Sequence, residues 1–321
     1  MRTLGGRYEL GQRVGIGGMS EVWRAHDLVL DRTVAVKLIS PGQDGEDTSV
    51  ERIRAEARSA ARLVHPNVAS VHDFGTSVAP DGREVPYIVM ELAEGETLAA
   101  HLRDGALDWR IAVRVCAEVS AALAAAHAHD IVHRDVKPAN VILTPAGVKV
   151  LDFGIATPTG ARDHTPEGMV VGTPAYLAPE QLDRRPATPA ADMYALGVLL
   201  YYCLTGRLPY AASSATQLLG ARRRQPPEPL PEIEGLPSEV ADLCRRCLAD
   251  DPAGRPTSLM AALLLAEAVD ARVYVPMLAT MPRQRSAPVS PWTDRAAAEA
   301  TEAMAVDAYP TGWASTSPPA R

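Results

Sequence analysis

The sequence predicts an α+β fold, a small sheet-rich lobe followed by a larger helical one. Three features point to it. Up to residue 39 apolar and β-branched residues alternate; beyond about residue 94 the apolar period becomes helical; from about residue 273 the pattern dissolves among prolines. Strands are predicted over 8–14, 21–26 and 33–39, with a glycine cluster between the first two and a turn over 27–31. The charged run Glu51-Arg52-Ile53-Arg54-Ala55-Glu56-Ala57-Arg58 has helical period within 50–63, and His65-Pro66-Asn67 stops it. Two short strands follow near 68–77 and 85–92. Helices are expected over 97–103, 108–129, 190–205, 213–223, 237–249 and 257–271. A loop-rich stretch, 131–189, lies among them and includes a short strand around Val148-Lys149-Val150. The expected units are 8–93, 94–272 and a flexible Pro/Ala/Ser/Thr-rich tail, 273–321, with a short Ala-rich helix over 294–304.

At 321 residues the chain can bury a core without metal or disulfide staples. Its net charge of −7 and lack of a dominant basic stretch argue against nucleic acid as a partner. Cys244 and Cys247 form a C-x-x-C, but Val240, Leu243, Cys244 and Cys247 share one helical face, and no second pair or histidine cluster accompanies them. They read as core. The first residues lack a signal-like apolar run, and no stretch of 18 apolar residues free of charge occurs, so no membrane span is predicted and a cytoplasmic location is expected. Of 32 basic residues only Lys37, Lys137 and Lys149 are lysine. A lysine kept in so arginine-rich a chain marks a site that needs a compact ammonium. The run Arg222-Arg223-Arg224 reads as a solvated face, with binding of acidic substrates as the less favoured reading.

Gly15-Ile16-Gly17-Gly18-Met19-Ser20-Glu21-Val22 fits a phosphate-covering glycine loop, with serine in the third glycine slot. A dinucleotide fold would place a helix next, whereas a strand is predicted here; a Walker loop would need Gly-Lys, which the chain lacks. Taken alone, the loop is equally an ordinary hairpin turn.

Four further motifs follow in order: Ala35-Val36-Lys37, His133-Arg134-Asp135-Val136-Lys137-Pro138-Ala139-Asn140, Asp152-Phe153-Gly154 and Ala178-Pro179-Glu180. The ordered set resembles the signature of eukaryotic-type (Hanks-type) protein kinases, and its wording is most similar to bacterial, particularly actinobacterial, Ser/Thr kinases. The resemblance covers roughly 8–270. It implies the bilobal kinase fold, an antiparallel-sheet N-lobe with one main helix and a helical C-lobe. It also implies transfer of the ATP γ-phosphate to protein Ser/Thr hydroxyls, with autophosphorylation of the activation loop.

The resemblance implies these roles. Lys37 holds the α- and β-phosphates and is anchored by Glu56, with Glu51 as runner-up. Asp135 takes the proton of the acceptor hydroxyl, and Lys137 neutralises the γ-phosphate. Asn140 and Asp152 offer hard oxygens to Mg²⁺, with Mn²⁺ as the alternative. Phe153 packs beneath the first helix. Asp192 braces the His133–Asp135 loop, Arg255 pairs with Glu180, and Lys149 is structural. Val14, Gly15, Ile16, Gly17, Gly18, Met19 and Ser20 cover the nucleotide. Val22, Ala35 and Ile142 sandwich the adenine, Met90 gates the pocket behind it, and backbone groups of Glu91 and Ala93 meet its edge.

Between Asp152 and Glu180, Thr165 is the expected autophosphorylation site, its phosphate pairing with Arg134; Thr157 and Thr159 are weaker candidates. Glu167 stands where relatives often have a second threonine and would supply a permanent charge. Thr173 is expected to contact Asp135 and Lys137 and to favour Ser/Thr acceptors. Protein substrates are the implied partners, and the family admits a homodimer for trans-autophosphorylation. Many bacterial relatives continue into a membrane span and sensor; this sequence shows neither, and the resemblance then implies either a soluble kinase or a fragment of a longer chain. Two other readings share the fold. A pseudokinase scaffold is disfavoured because Lys37, Asp135, Asn140 and Asp152 are all present, and a small-molecule kinase because the stretch 172–180 is intact.

Overall fold

The computed structural model describes residues 2–17, 20–39, 50–79, 82–153, 174–182, 185–186, 188–210 and 215–276. Gly18, Met19, Gly154, Thr157, Thr159, Thr165, Glu167, Thr173, the segment 294–304 and most of the expected tail lie outside them. Residues Met1–Pro276 form one compact unit and Met277–Arg321 a second.

The first unit begins with a six-stranded antiparallel sheet built from β1 (Arg2–Leu4), β2 (Tyr8–Gly17), β3 (Ser20–Asp27), β4 (Arg32–Ile39), β5 (Val71–Val78) and β6 (Glu84–Met90). Their order in the sheet is β1-β2-β3-β4-β6-β5. β1 was not expected from sequence; only Leu4 of its three residues is buried, too short a pattern to register as alternation. In β4, Val34 to Ile39 are all buried, because one face meets the apolar cluster of Leu4, Tyr8 and Val89 and the other that of Ile53, Ile88 and Met90. The helix α1 (Val50–Ala60) buries Ile53, Ala57 and Ala60 against the second cluster. It ends at Ala60 rather than at 63; turn hydrogen bonds close the chain over Ala61, Arg62 and Leu63.

A second, three-stranded sheet follows: β7 (Glu96–Thr97), β8 (Val141–Thr144) and β9 (Gly147–Val150). The N-lobe reaches it directly. Val68 bridges Val150, the Ala69 amide donates to the Val150 carbonyl and the Val150 amide to the Asn67 carbonyl. The Asn67 side chain and the Val148 amide both donate to the buried Glu118 carboxylate, at 3.1 and 2.7 Å.

The C-lobe is helical: α2 (Leu98–His101), α3 (Trp109–His127), α4 (Pro179–Leu182), α5 (Pro189–Thr205), α6 (Ala215–Arg224), α7 (Ser238–Cys247) and α8 (Ser258–Ala268). The four-residue α4 is too short to show periodicity and was not predicted. α3 starts at Asp108, which accepts from the Arg110 amide, and is buried nearly all round. α5 opens on Pro189 and closes on Gly206, whose φ of 68° admits the left-handed cap. Within α5 a Cβ on Gly197 would stand 2.6 Å from Cys247 Cβ, so the glycine lets α7 lie close. All four cysteines are free and buried. Beside the limit expected at 272, Val273 packs on the large core, and the His65 ring shares a 2.9 Å hydrogen bond with the Tyr274 carbonyl.

Candidate active site

The glycine loop is a hairpin. Gly15 pairs with Val22 and Gly17 with Ser20, so strand follows loop, as its sequence surroundings required. Val14 and Ile16 are exposed on it. Val22, Ala35 and Met90 then join one apolar cluster; Ala35 is in register with Met90, and Val22 with Lys37. Ile142 lies on β8, paired with Thr97 and Lys149.

After Met90 the chain crosses between lobes. The Glu91 amide donates to the Ser70 carbonyl at 2.8 Å. Among the described residues, the Glu91 carbonyl and the Ala93 amide have no hydrogen-bond partner and remain open to a ligand edge. The Glu91 side chain is held as well: Lys149 Nζ lies 2.7 Å from its Oε1, and the Ser70 amide donates to Oε2 at 3.2 Å. Lys149 therefore does more than fill a strand, since it ties β9 to the crossing segment. The scarcity of lysine was the signal for it.

The loop of residues 133–140 is fastened from behind. Asp192 is almost fully buried, and its carboxylate accepts from the His133 and Arg134 amides, each at 2.8 Å. His127 Nε2 lies 2.8 Å from the same carboxylate and its Nδ1 2.9 Å from the Ser258 hydroxyl. This backing supports Arg134 in the left-handed region, at φ 70°. His133 Nδ1 accepts from the Asp135 amide, and its Nε2 lies 2.8 Å from the Leu151 carbonyl. The His133 ring meets Phe153 edge-on, with centroids 4.5 Å apart.

On that base three side chains converge. Lys137 Nζ is 2.7 Å from Asp135 Oδ2, and Asn140 Nδ2 donates to the same oxygen and to the Asp135 carbonyl, each at 2.8 Å. Asp152, itself at φ 61°, places Oδ2 2.9 Å from the buried Lys37 Nζ. The Asn140 amide oxygen and the Asp152 carboxylate are the hard oxygen donors a small divalent cation requires.

Glu56 does not join this group. Among the described residues Lys37 makes no ion pair with Glu56, and Glu51 is exposed. Glu56 instead stands 3.8 Å from Arg52 on its own helix. It lines a cavity of about 350 Å³ between α1 and the residues Asp130 to Arg134 and Phe153. Burial there pushes its carboxyl above the ordinary range, against the pull of the Arg52 and Arg134 charges. With this gap beneath α1, Glu56 does not reach Lys37, whose ammonium is taken by Asp152. Phe153 is a core residue of the C-lobe that faces the same gap.

Below the site, Arg255 forks onto Glu180 at 2.7 and 2.8 Å, fully buried, as the resemblance implied. Arg222 departs from the solvated-face expectation: it turns inward onto the Ala175 and Leu177 carbonyls. Arg224 on the same helix is exposed. A position four residues after the buried Leu218 placed Arg222 on the inner face, but the charge run masked that signal. The cysteines do no chemistry here. Burial pushes the Cys244 thiol up to about 12 and Cys247 higher, and Cys116 is raised by its hydrogen bond to Cys203 and by burial. Among the described residues no group of three or more His, Cys, Asp or Glu side chains is placed to hold a metal ion.

Comparison with known proteins places the chain in a family. The family model for the protein kinase domain matches residues 8–268. The chain is 44% identical over 255 residues to the serine/threonine-protein kinase PknA of Mycobacterium tuberculosis, covering 79% of this chain and 59% of that one. It is 42% identical over 257 residues to PksC of Streptomyces coelicolor (77% and 46% covered) and 36% over 254 residues to PrkC of Bacillus subtilis (78% and 38%). This chain belongs to the protein kinase family, and its relatives include actinobacterial Ser/Thr kinases. The matched region spans between two fifths and three fifths of the length of these relatives. No helix among the described residues is long and apolar enough to cross a membrane.

Proposed function

We propose that this protein transfers the γ-phosphate of ATP to Ser/Thr hydroxyls of proteins, including its own. One observation carries the reading: Lys137 and Asn140 both hold Asp135 Oδ2. They fix the carboxylate and leave Oδ1 without a partner among the described residues.

In the proposed reaction Asp135 Oδ1 takes the proton as the acceptor oxygen bonds to the γ-phosphorus. The bond to the β–γ bridging oxygen breaks, and its electron pair leaves with ADP. Asn140 keeps hold of Asp135 Oδ2 and of its carbonyl while Lys137 turns to the charge gathering on the transferred group. Lys37 holds the α- and β-phosphates, and Glu56 becomes its anchor once α1 closes the cavity beneath it. Asn140 and Asp152 would hold Mg²⁺, which supplies neutralisation of phosphate charge when bound. The Glu91 carbonyl and Ala93 amide receive the adenine edge, and Val22, Ala35 and Ile142 its faces. The loop from Val14 to Ser20, with Gly18 and Met19, covers the phosphates.

Thr165 is the proposed autophosphorylation site, with Arg134 as its partner, and Thr173 contributes to acceptor choice. The domain limits proposed are 8–93, 94–272 and a tail thereafter. A second copy of the chain is the proposed partner in autophosphorylation; the exposed turn Leu28-Val29-Leu30 supports this, and Leu30→Asp would leave a monomer by sedimentation. A cytosolic site of action is supported by four free, buried cysteines. The test of function is labelled-phosphate transfer from γ-labelled ATP with Mg²⁺ to the chain itself and to a basic protein. Label on Ser/Thr in the parent and none in Asp135→Asn is expected. An unlabelled parent, after phosphatase treatment to clear existing phosphate, refutes the reading.

A further inference from the structure

Arg222 makes contacts that a solvated arginine would not. One Nη donates to the Leu177 carbonyl and the other to the Ala175 carbonyl, the latter at 2.9 Å. The guanidinium lies 5.2 Å from the Tyr194 ring centroid and 5.3 Å from that of Tyr210. The Arg255 guanidinium lies 5.1 Å from the same Tyr194 ring and forks onto Glu180. Two arginines thus share one tyrosine and grip the chain at 175–177 and at 180. Ala175 also packs on the buried cluster of Tyr210, Leu218 and Ala221. A planar fork spans two carbonyls and stacks on aromatic rings, which an ammonium cannot do. The segment held is the one that leads into Ala178-Pro179-Glu180.

We propose that Arg222 is a positioning residue for the protein acceptor: by acting through the Ala175 and Leu177 carbonyls it sets the pose of 175–177, the end of a run, 171–177, that resembles the acceptor-docking segment of Ser/Thr kinases. The inference rests on the protein-kinase reading and deepens it. The contacts of Arg222 are with the 175–177 segment and the Tyr194 and Tyr210 rings and not with Lys37, Asn140 or Asp152, so its effect should fall on the acceptor and not on ATP.

The test compares the whole chain with Arg222→Lys and Arg222→Ala, with Arg224→Ala as the exposed control on the same helix. Myelin basic protein serves as acceptor, and the KM for acceptor and for ATP are measured separately beside a thermal melt. Loss of two charge-assisted hydrogen bonds should raise the acceptor KM roughly tenfold or more in Arg222→Lys. The ATP KM and the Arg224→Ala control should stay at parent values, while the Arg222→Lys melt falls by only a few degrees as the two bonds are lost. An unchanged acceptor KM overturns the proposal. So does a loss of activity toward acceptor and ATP alike, in proportion to the fraction unfolded in the melt, which marks a role in folding alone. If the parent phosphorylates nothing, the kinase reading fails by itself, and hydrogen exchange then decides the clamp. Faster exchange of amides 175–182 in Arg222→Lys, with α1 and α3 unchanged, upholds it, and equal exchange refutes it.

Discussion

Replacing Asp192 by asparagine should both loosen the fold and misalign the site. The carboxylate accepts three bonds at 2.8 Å each, from the His133 amide, the Arg134 amide and His127 Nε2. An amide of the same shape keeps one acceptor oxygen and turns two N–H groups toward donors. Each buried donor left without a partner costs about 1–3 kcal/mol. The three share one acceptor group and are not additive, so a total of about 3–5 kcal/mol is expected. In a domain of this size a melting temperature falls roughly 2–4 °C per kcal/mol, which gives a drop of about 10 °C. Activity should fall further, because Arg134 holds φ 70° only with this backing and Asp135 follows it in the chain. A displacement near 1 Å at a reacting group is worth about a hundredfold in rate. Calorimetry and single-turnover phosphate transfer on the same preparation measure both effects. An unchanged melt with an unchanged rate would refute the bracing role.

Lys149→Met should raise the KM for ATP about fivefold with little change in kcat, because a half-buried ion pair behind the adenine edge is worth about 1 kcal/mol; Lys149→Arg should recover part of it. Glu56 holds its proton more tightly folded than unfolded, so its contribution to stability falls as pH rises from the ordinary carboxylate range through its raised value. Glu56→Gln stays neutral and should melt above the parent at pH 7, an advantage that disappears below roughly pH 4. Burial of all four thiols predicts no reaction of the native protein with a thiol reagent at pH 8, and four thiols released on denaturation, read by absorbance.

Much of this was legible in the residues. The β-branched run 33–39 and the helical period in 108–129 are local patterns, and the structure forms β4 and α3 there, although β4 is buried on both faces and does not alternate. Lys37, Asp135, Asn140 and Asp152 were legible through the resemblance that their motifs carry in order, and an ammonium, a carboxylate and hard oxygens suit the phosphoryl transfer it implies. The Glu180–Arg255 pair and the Asp192 brace followed from the resemblance, and the structure forms both. Local period could not place the groups whose partners lie far along the chain. Glu56 is on the expected helix, yet its distance from Lys37 depends on how the whole helix seats over Phe153, and a cavity of about 350 Å³ intervenes. Arg222 looked like solvent charge until its α6 face met Tyr194 and Tyr210. Lys149 stood out by its rarity, but only the docking of β9 beneath the crossing segment brings its ammonium to Glu91. Residue types and local period determined the fold class and the chemistry on offer. Tertiary packing decided which charges meet, because it alone brings together groups that lie tens of residues apart in the chain.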